Sequence, residues 1–432
     1  MNDSRYHSVR LDEDKCRGCT ACLKRCPVEA IRVYDNKAHI INERCIDCGE
    51  CIRVCEYHAK VAHTDTLEDI RSYAWPVALL APSLYGQFRN NTNTAAIRDA
   101  LLSLGFKKVF DVARGADVVA RAVQRKLKDK SRPRPLISSA CPAVTRLIQA
   151  RFPSLIPNII SLRQPMEVAA AMARREAVQQ EGVAPQEVGI FFITPCPAKK
   201  TAIHNPIGHE SSQVDGAISM MEIYGRLQPL LSRAKPRVEA APFTTRGMCW
   251  AAAGGEIAAV EPRNSISVDG IDNVIRVLEA VEDRLIDDLD YLEALACLGG
   301  CIGGPLIYEN NYLAKNTLDN VRRAMEEGLN PKEKEAALPP QYLHFDQAIP
   351  EVDSMKLHES IAGAMERMEE MNRILDTLPG YDCGSCGSPT CRSFAEDIVK
   401  GLFSESDCIY VLKDTLKVMA QKMVDIAKTR RE

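Results

Sequence analysis

A doubled cysteine run near the start of the chain constrains its fold more than any other feature. "CRGCTACLKRCP" sets Cys16, Cys19, Cys22 and Cys26 at C-x2-C-x2-C-x3-C spacing, and "CIDCGECIRVC" repeats it with Cys45, Cys48, Cys51 and Cys55. Three thiolates this close in sequence suit one iron–sulfur cube, and the fourth of each run crosses to the other cube. On that rule Cys16, Cys19, Cys22 and Cys55 hold one [4Fe–4S] cluster, while Cys45, Cys48, Cys51 and Cys26 hold a second. Soft thiolates match iron, and the two-residue loops turn backbone N–H groups toward the sulfides. Zinc knuckles or a disulfide scaffold fit two full repeats poorly. The second run ends in "CEYH", without the proline that closes the first.

The chain has seventeen cysteines in 432 residues. In a reducing compartment such a count points to metal thiolates rather than disulfides. The opening "MNDSRYHSVRLDEDKC" is polar and charged, unlike a leader peptide. Apolar stretches such as 75–82 and 188–195 are too short to span a bilayer. The expectation is therefore a cytoplasmic protein with no membrane partner. A net charge of −3 with dispersed Lys and Arg argues against a nucleic-acid partner. The cysteines fall into three groups and give a domain plan: 1–66, a two-cluster domain; 67–350, a large body; 351–432, a helix followed by a third cluster module.

In the body, short apolar runs at 77–82, 108–113, 135–140, 188–193 and 264–270 read as strands. The stretches 93–105, 116–127 and 166–182 between them have helical periodicity. Strands alternating with helices predict parallel sheets, whose ligand sites lie at the carboxyl ends of the strands. Cys141 follows one strand in "SSACPAV" and Cys196 another in "ITPCPAKK". Cys297 and Cys301 lie in "EALACLGGCIGGP", expected to follow the helical stretch 271–288. Four cysteines thus reach the loops of one crevice, and Gly299, Gly300, Gly303 and Gly304 are expected to clear space for a bulky group.

These three segments, in this order behind a ferredoxin-type domain, resemble the signatures of the [FeFe]-hydrogenases, usually written TSCCPxW, MPCxxK and ExMxCxGGCxxGG. The resemblance covers about three quarters of the chain. It implies an α/β body of two parallel-sheet lobes around a buried cluster, an N-terminal α+β ferredoxin domain and a small, mostly α C-terminal domain. It also implies an H-cluster, which is a [4Fe–4S] cube joined to a diiron unit carrying CO, CN and azadithiolate. Carried over, Cys141, Cys196, Cys297 and Cys301 hold the cube, with Cys301 as the bridge. Lys199 matches the signature lysine that bonds a cyanide, and the segment Ala81, Pro82 and Ser83 matches the one lining the other cyanide. Pro195 and Leu295 complete the implied cofactor-binding set, Leu295 standing where the family has methionine.

The departures bear on activity. Ala140 replaces the family's proton-donating cysteine, and Pro165-Met166 replaces a Pro-Gln pair. The acidic relay pair should fall on the helix 116–127, read as carrying no relay carboxylate, although Ser161 stands at the relay serine's place. Loss of a positioned proton donor costs about 10²–10⁴ in rate. Glu167, Glu222, Glu256 and Glu293 are alternative proton carriers, and Cys249 is the one cysteine outside every ligand set.

After the helical stretch 354–380, Cys383, Cys386, Cys391 and Cys408 stand at C-x2-C-x4-C-x16-C. This resembles the four-cysteine module of corrinoid iron–sulfur proteins and Rnf-type subunits, and it implies a third [4Fe–4S] cluster outside the active site. The combined reading is a low-turnover iron hydrogenase of the sensory type. Such a protein binds H₂, splits it slowly and reversibly, and passes electrons through its clusters. Its expected partners are H₂ and protons, a redox protein and, by analogy, a signalling phosphatase or kinase, with a homodimer as one possible assembly. Two alternatives stay open: a diiron-free iron–sulfur scaffold, and an ordinary catalytic hydrogenase with a non-standard proton path.

Overall fold

Two small antiparallel ribbons frame the N-terminal cysteine runs in the computed structural model, which describes residues 6–89, 93–231, 243–327, 338–352, 357–358 and 360–429. The strands are β1 (Val9–Leu11), β2 (Ile31–Tyr34), β3 (Lys37–Ile40) and β4 (Lys60–Ala62). β1 pairs with β4 and β2 with β3, so each run connects a strand of one ribbon to a strand of the other. Cysteines supply much of the core between the ribbons: Cys16, Cys22 and Cys55 pack with Leu23, Ile31, Ala38 and Ala59. So small an aliphatic core folds stably only with help from bound metal.

The body is built on β5 (Trp75–Leu80), β6 (Lys108–Asp111), β7 (Leu136–Ile137), β8 (Val188–Thr194), β9 (Gly216–Ser219), β10 (Ser265–Asp269) and β11 (Tyr291–Leu295). Among the described residues these form two sheets, ordered β6-β5-β8-β9 and β10-β11-β7, with every pairing parallel. β8 is buried at all seven positions, as expected for a parallel strand covered on both faces. The helices Val112–Leu127 and Pro165–Glu181 pack on each other beside the first sheet. The helices Pro142–Arg151 and Ile271–Glu282 cover the second.

The structure trims and extends the sequence reading. The run 108–113 is a strand only to Asp111, because the next helix begins at Val112. The run 135–140 shortens to two strand residues. β9 and β11 are additions. "YLEAL" has no β-branched residue, and it is extended because β10 and β7 flank it on both sides. Cys297 consequently follows a strand rather than the helix 271–282.

The C-terminal module comprises helices Ile361–Thr377, Cys391–Val399 and Ile409–Thr429. Residues 354–356 and 359 of the expected first helix lie outside the described residues. In that helix Met371 and Ile374 are buried while Ile361, Met365 and Met368 are exposed, so its apolar stripe packs along one half only. The last helix is exposed along most of its length. The module docks on the ferredoxin region. Val33 N–H donates to Gly387 O at 2.9 Å, Arg32 pairs with Asp397, and Arg44 pairs with Glu396. No described helix is long and apolar enough to cross a membrane.

A cavity beside four gathered cysteines

Each body cysteine is placed by a strand end. Cys141 and Cys196 follow β7 and β8 and occupy the N-cap positions of the helices Pro142–Arg151 and Pro197–His204. In both cases proline takes the first helical position, where its missing N–H is no loss and its fixed φ suits the turn. A thiolate at a helix N-terminus also meets the positive end of the helix dipole. Cys297 follows β11, and Cys301 opens a tight turn through Gly303.

These four thiols act on one another. Burial raises Cys196 to about 11, Lys199 opposes the rise, and Cys141 and Cys301 add to it. Burial likewise pushes Cys297 far up, with Cys196, Cys141 and Cys301 contributing. Such thiols ionise only on binding a cation that compensates their charge. Thiols of the ferredoxin runs behave the same way. Burial raises Cys22, with Cys19, Cys55 and Cys16 as its thiol neighbours, and it raises Cys48, with Cys26, Cys51 and Cys45 as neighbours. In the C-terminal module Cys383, Cys386, Cys391 and Cys408 line one hollow of about 320 Å³.

A cavity of about 510 Å³ opens beside Cys301. Of the expected cofactor-binding residues, Ala81, Pro82, Ser83, Pro195 and Lys199 line it, and so does Ala140. Lys199 Nζ points at Cys301 Sγ across 3.7 Å. Burial works against its charge, but Cys301, Cys196, Cys141 and Cys297 outweigh burial and raise its pKa. Ser83 is buried, and its hydroxyl meets only the weak acceptor Met220 Sδ, at 3.8 Å. Leu295 is different: it packs in the second core with Ile137, Cys141 and Ala294 and is not among the cavity's lining residues.

Two lining residues escaped sequence reasoning. Gln164 Oε1 and Trp250 Nε1 are buried without a protein partner, and both side chains line the cavity. Buried polar atoms normally have partners, so this pair marks a place where a polar group belongs. Gln164 was legible in principle. The family's Pro-Gln order is inverted here, so an amide reaches the cavity from the residue before Pro165 rather than after it.

The glycines near Cys301 have another role than the one expected. A Cβ on Gly304 would stand 2.3 Å from Pro195 O, and one on Gly303 would stand 2.0 Å from Leu298 O. What they permit is close approach of protein loops, which draws Cys301 toward Cys196. Gly299 and Gly300 have φ of +83° and +85° and likewise meet protein atoms rather than open space.

Next to Ala140 lies a buried acid network. Ala140 N–H donates to Ser138 Oγ at 3.2 Å, and Ser138 Oγ donates to Glu256 at 2.7 Å. Tyr291 OH donates to the same carboxyl. Glu293 accepts from Gly254 N–H and Ile257 N–H, each at 3.1 Å. Burial first, then the neighbouring Glu293, raises Glu256; burial also raises Glu293. Ser267, the cross-strand partner of Glu293 on β10, is exposed. The other candidate carriers are committed elsewhere. Glu167 accepts from Ser212 and Gln213, and Glu222 from Leu67. Asp117, the carboxylate of the helix Val112–Leu127, accepts from Thr244, the N-cap of the helix Thr245–Cys249. Ser161 uses its carbonyl to accept from Phe345 N–H. Cys249 has Arg322, Asp319 and Glu326 as charged neighbours and does not line the cavity.

Residues 75–261 match the family described as iron only hydrogenase large subunit, C-terminal domain. The chain carries an iron-only hydrogenase domain. Residues 8–56 match a 4Fe-4S dicluster family, and residues 378–410 match an Fe-S cluster family. The chain is similar to the periplasmic [Fe] hydrogenase large subunit of Nitratidesulfovibrio vulgaris. Identity there is 27% over 215 residues, 45% of this chain and 51% of the relative. Iron hydrogenase 1 of Clostridium pasteurianum is 22% identical over 377 residues, 70% of this chain and 65% of the relative. The alignments thus span less than two thirds of each relative's length. A solved [FeFe]-hydrogenase from a study of stepwise H-cluster assembly shares the fold, with a TM-score of 0.51 at 16% identity. It covers 66% of this chain and 98% of its own.

Proposed function

We propose that this iron-only hydrogenase protein binds H₂ and splits it slowly and reversibly, and that it serves as an H₂ or redox sensor. One observation carries the reading: a single cavity is lined by Cys301, Lys199 and Ser83 and by a mute Ala140. The donor set suits an H-cluster, because four gathered thiols adjoin a pocket with buried donors directed inward and loops held close by glycine. When bound, that group supplies the chemistry of reversible H₂ cleavage.

The residues take distinct parts. Cys141, Cys196, Cys297 and Cys301 hold the cube, and Cys301 faces the cavity. Lys199 Nζ and Ser83 Oγ donate to anionic diatomic ligands, where hydrogen bonds involving a charge are the strong ones. Val112, Ala116, Met166 and Phe192 line the rest of the cavity with apolar surface and exclude water. At position 140 no side chain holds a proton. Hydrogen-bonded to its backbone stands Ser138 Oγ, with the Glu256 carboxyl behind it and Glu293 and exposed Ser267 leading outward. A proton crossing from Ser138 to the cavity must pass a methyl group, which fits low turnover. The cysteines from Cys16 to Cys55 would hold the ferredoxin cubes, which would exchange electrons with the body, and Cys383, Cys386, Cys391 and Cys408 would hold a further cluster, a port for a redox partner or a signalling phosphatase or kinase.

The test is anaerobic loading with synthetic diiron cofactor, followed by infrared spectroscopy and H₂ assays of wild type and Ala140→Cys. We expect CO and CN bands, slow wild-type turnover, and an altered response to H₂ in the variant. Missing bands would leave the diiron-free scaffold. Fast wild-type turnover would point to the ordinary enzyme with a different proton path.

A further inference from the structure

β4 reverses the usual orientation of its side chains. Alternation along a strand sends one residue inward and the next outward, and here Lys60 is the inward one, 2% exposed, while Val61 faces solvent at 36%. Lys60 sits opposite Leu11 of β1, and its Nζ is buried with no hydrogen-bond partner. Among the described residues it forms no salt bridge. An ammonium in this state costs several kcal/mol in a real protein unless a counter-charge compensates it.

Leu11, its cross-strand partner, and Ala59, its neighbour along the chain, pack into the small core that also holds Cys22 and Cys51. Cys22 belongs to one crossed ligand set and Cys51 to the other. The side chain therefore lies where it acts on both cubes at once.

We infer that Lys60 is the internal counter-ion shared by the two ferredoxin [4Fe–4S] clusters, setting both of their reduction potentials. The inference rests on the reading of residues 1–66 as a two-cluster domain. A cube with four thiolate ligands is an anion, and it gains one more negative charge when it takes an electron. A fixed positive charge stabilises the reduced form more than the oxidised form, and so raises the midpoint. Placed between two cubes, one ammonium raises both together and keeps the electron's passage from one to the other nearly level. It also resolves the orphaned Nζ, whose three protons find acceptors in the sulfurs.

The experiment is an EPR-monitored redox titration of anaerobically prepared full-length protein, with iron counted in each sample. Lys60→Met keeps the length of the side chain and removes its charge. We expect full iron content, with both ferredoxin midpoints moved to lower potential and the body and C-terminal midpoints unmoved. Unchanged ferredoxin midpoints, or a shift in only one of them, would overturn the inference. Should Lys60→Met lose iron, Lys60→Arg decides: wild-type iron and midpoints support the role of charge, and iron loss there too would overturn it. A wild-type protein without two spin-coupled ferredoxin cubes would instead sink the two-cluster reading itself.

Discussion

The ferredoxin region has two junctions, and they are made in opposite ways. Toward the hydrogenase body it presents mainly backbone and apolar surface, with Arg53 as a charged side chain at the contact. Gly49, beside Cys48, lies so close to Pro305 and Pro197 that a Cβ would stand 2.5 Å from the Pro305 ring. Cys48 and Ile46 share a core with Cys141 and Cys196, and Arg53 donates to Gly303 O. Toward the C-terminal module it presents charge. Arg32 and Asp397, each 2% exposed, pair in a dry interface, with Arg44–Glu396 beside them. An apolar junction draws on surface burial and is insensitive to conditions. A buried ion pair is costly to form and costlier to half-break, so it contributes more to register than to strength. The body junction is a permanent seam, while the module junction is a specific, conditional one.

The largest expected effect tests the charged side. Asp397→Ala strands a buried guanidinium and should cost about 3–5 kcal/mol. Hydrogen exchange should then rise across 383–399 and leave the body unchanged. At the seam, Gly49→Val combines a crowded contact with an unsuitable φ of +80° and should cost on the order of 2 kcal/mol. Its signature is slower H₂-driven reduction of the ferredoxin cubes at wild-type iron content. Replacing both partners, Arg32→Met with Asp397→Leu, should recover most of what Asp397→Ala loses, measured by the same exchange. Equal loss in the double variant would mean that the pair is a net source of strength.

The smallest effect is one of pH. Burial works to raise Glu396, but Lys400 and Arg44 outweigh it and hold its carboxyl below the ordinary value. A lowered acid contributes stability that is present above the unfolded pKa and lost as pH falls through the folded one. Acidification below the usual carboxylate range should therefore loosen the module before the seam, visible as earlier proteolysis near residue 380. Simultaneous release of both would erase the distinction.

How much of this was legible in the sequence follows from distance along the chain. The ferredoxin ligand sets are local, so spacing alone identified Cys16 through Cys55. The body cysteines were legible more weakly, as loop cysteines of one crevice that the family resemblance then named as a set, because β7, β8 and β11 gather them from segments up to 160 residues apart. β11 itself was invisible, its extended form being imposed by the neighbouring strands. Trp250 was missed because a buried, unpartnered atom has no sequence signature, and Gln164 because it stands before Pro165 where the family pair has its amide after the proline. Lys60 looked like any lysine near a strand. The pairing of Arg32 with Asp397 joins residues 365 positions apart, and nothing short of the fold brings them together.

The two junctions also fix the wiring. The Cys45–Cys51 loop meets the body, while Lys24, between Cys22 and Cys26, donates to Pro389 O at 3.0 Å in the C-terminal module. On the proposed electron path the components are laid out as a circuit in series, with the ferredoxin as its middle element. A break there does not halve the current; it opens the circuit. Oxidative damage at Cys19, the most exposed thiol of that middle element, would cut the port at one end off from the cavity at the other and leave each intact on its own.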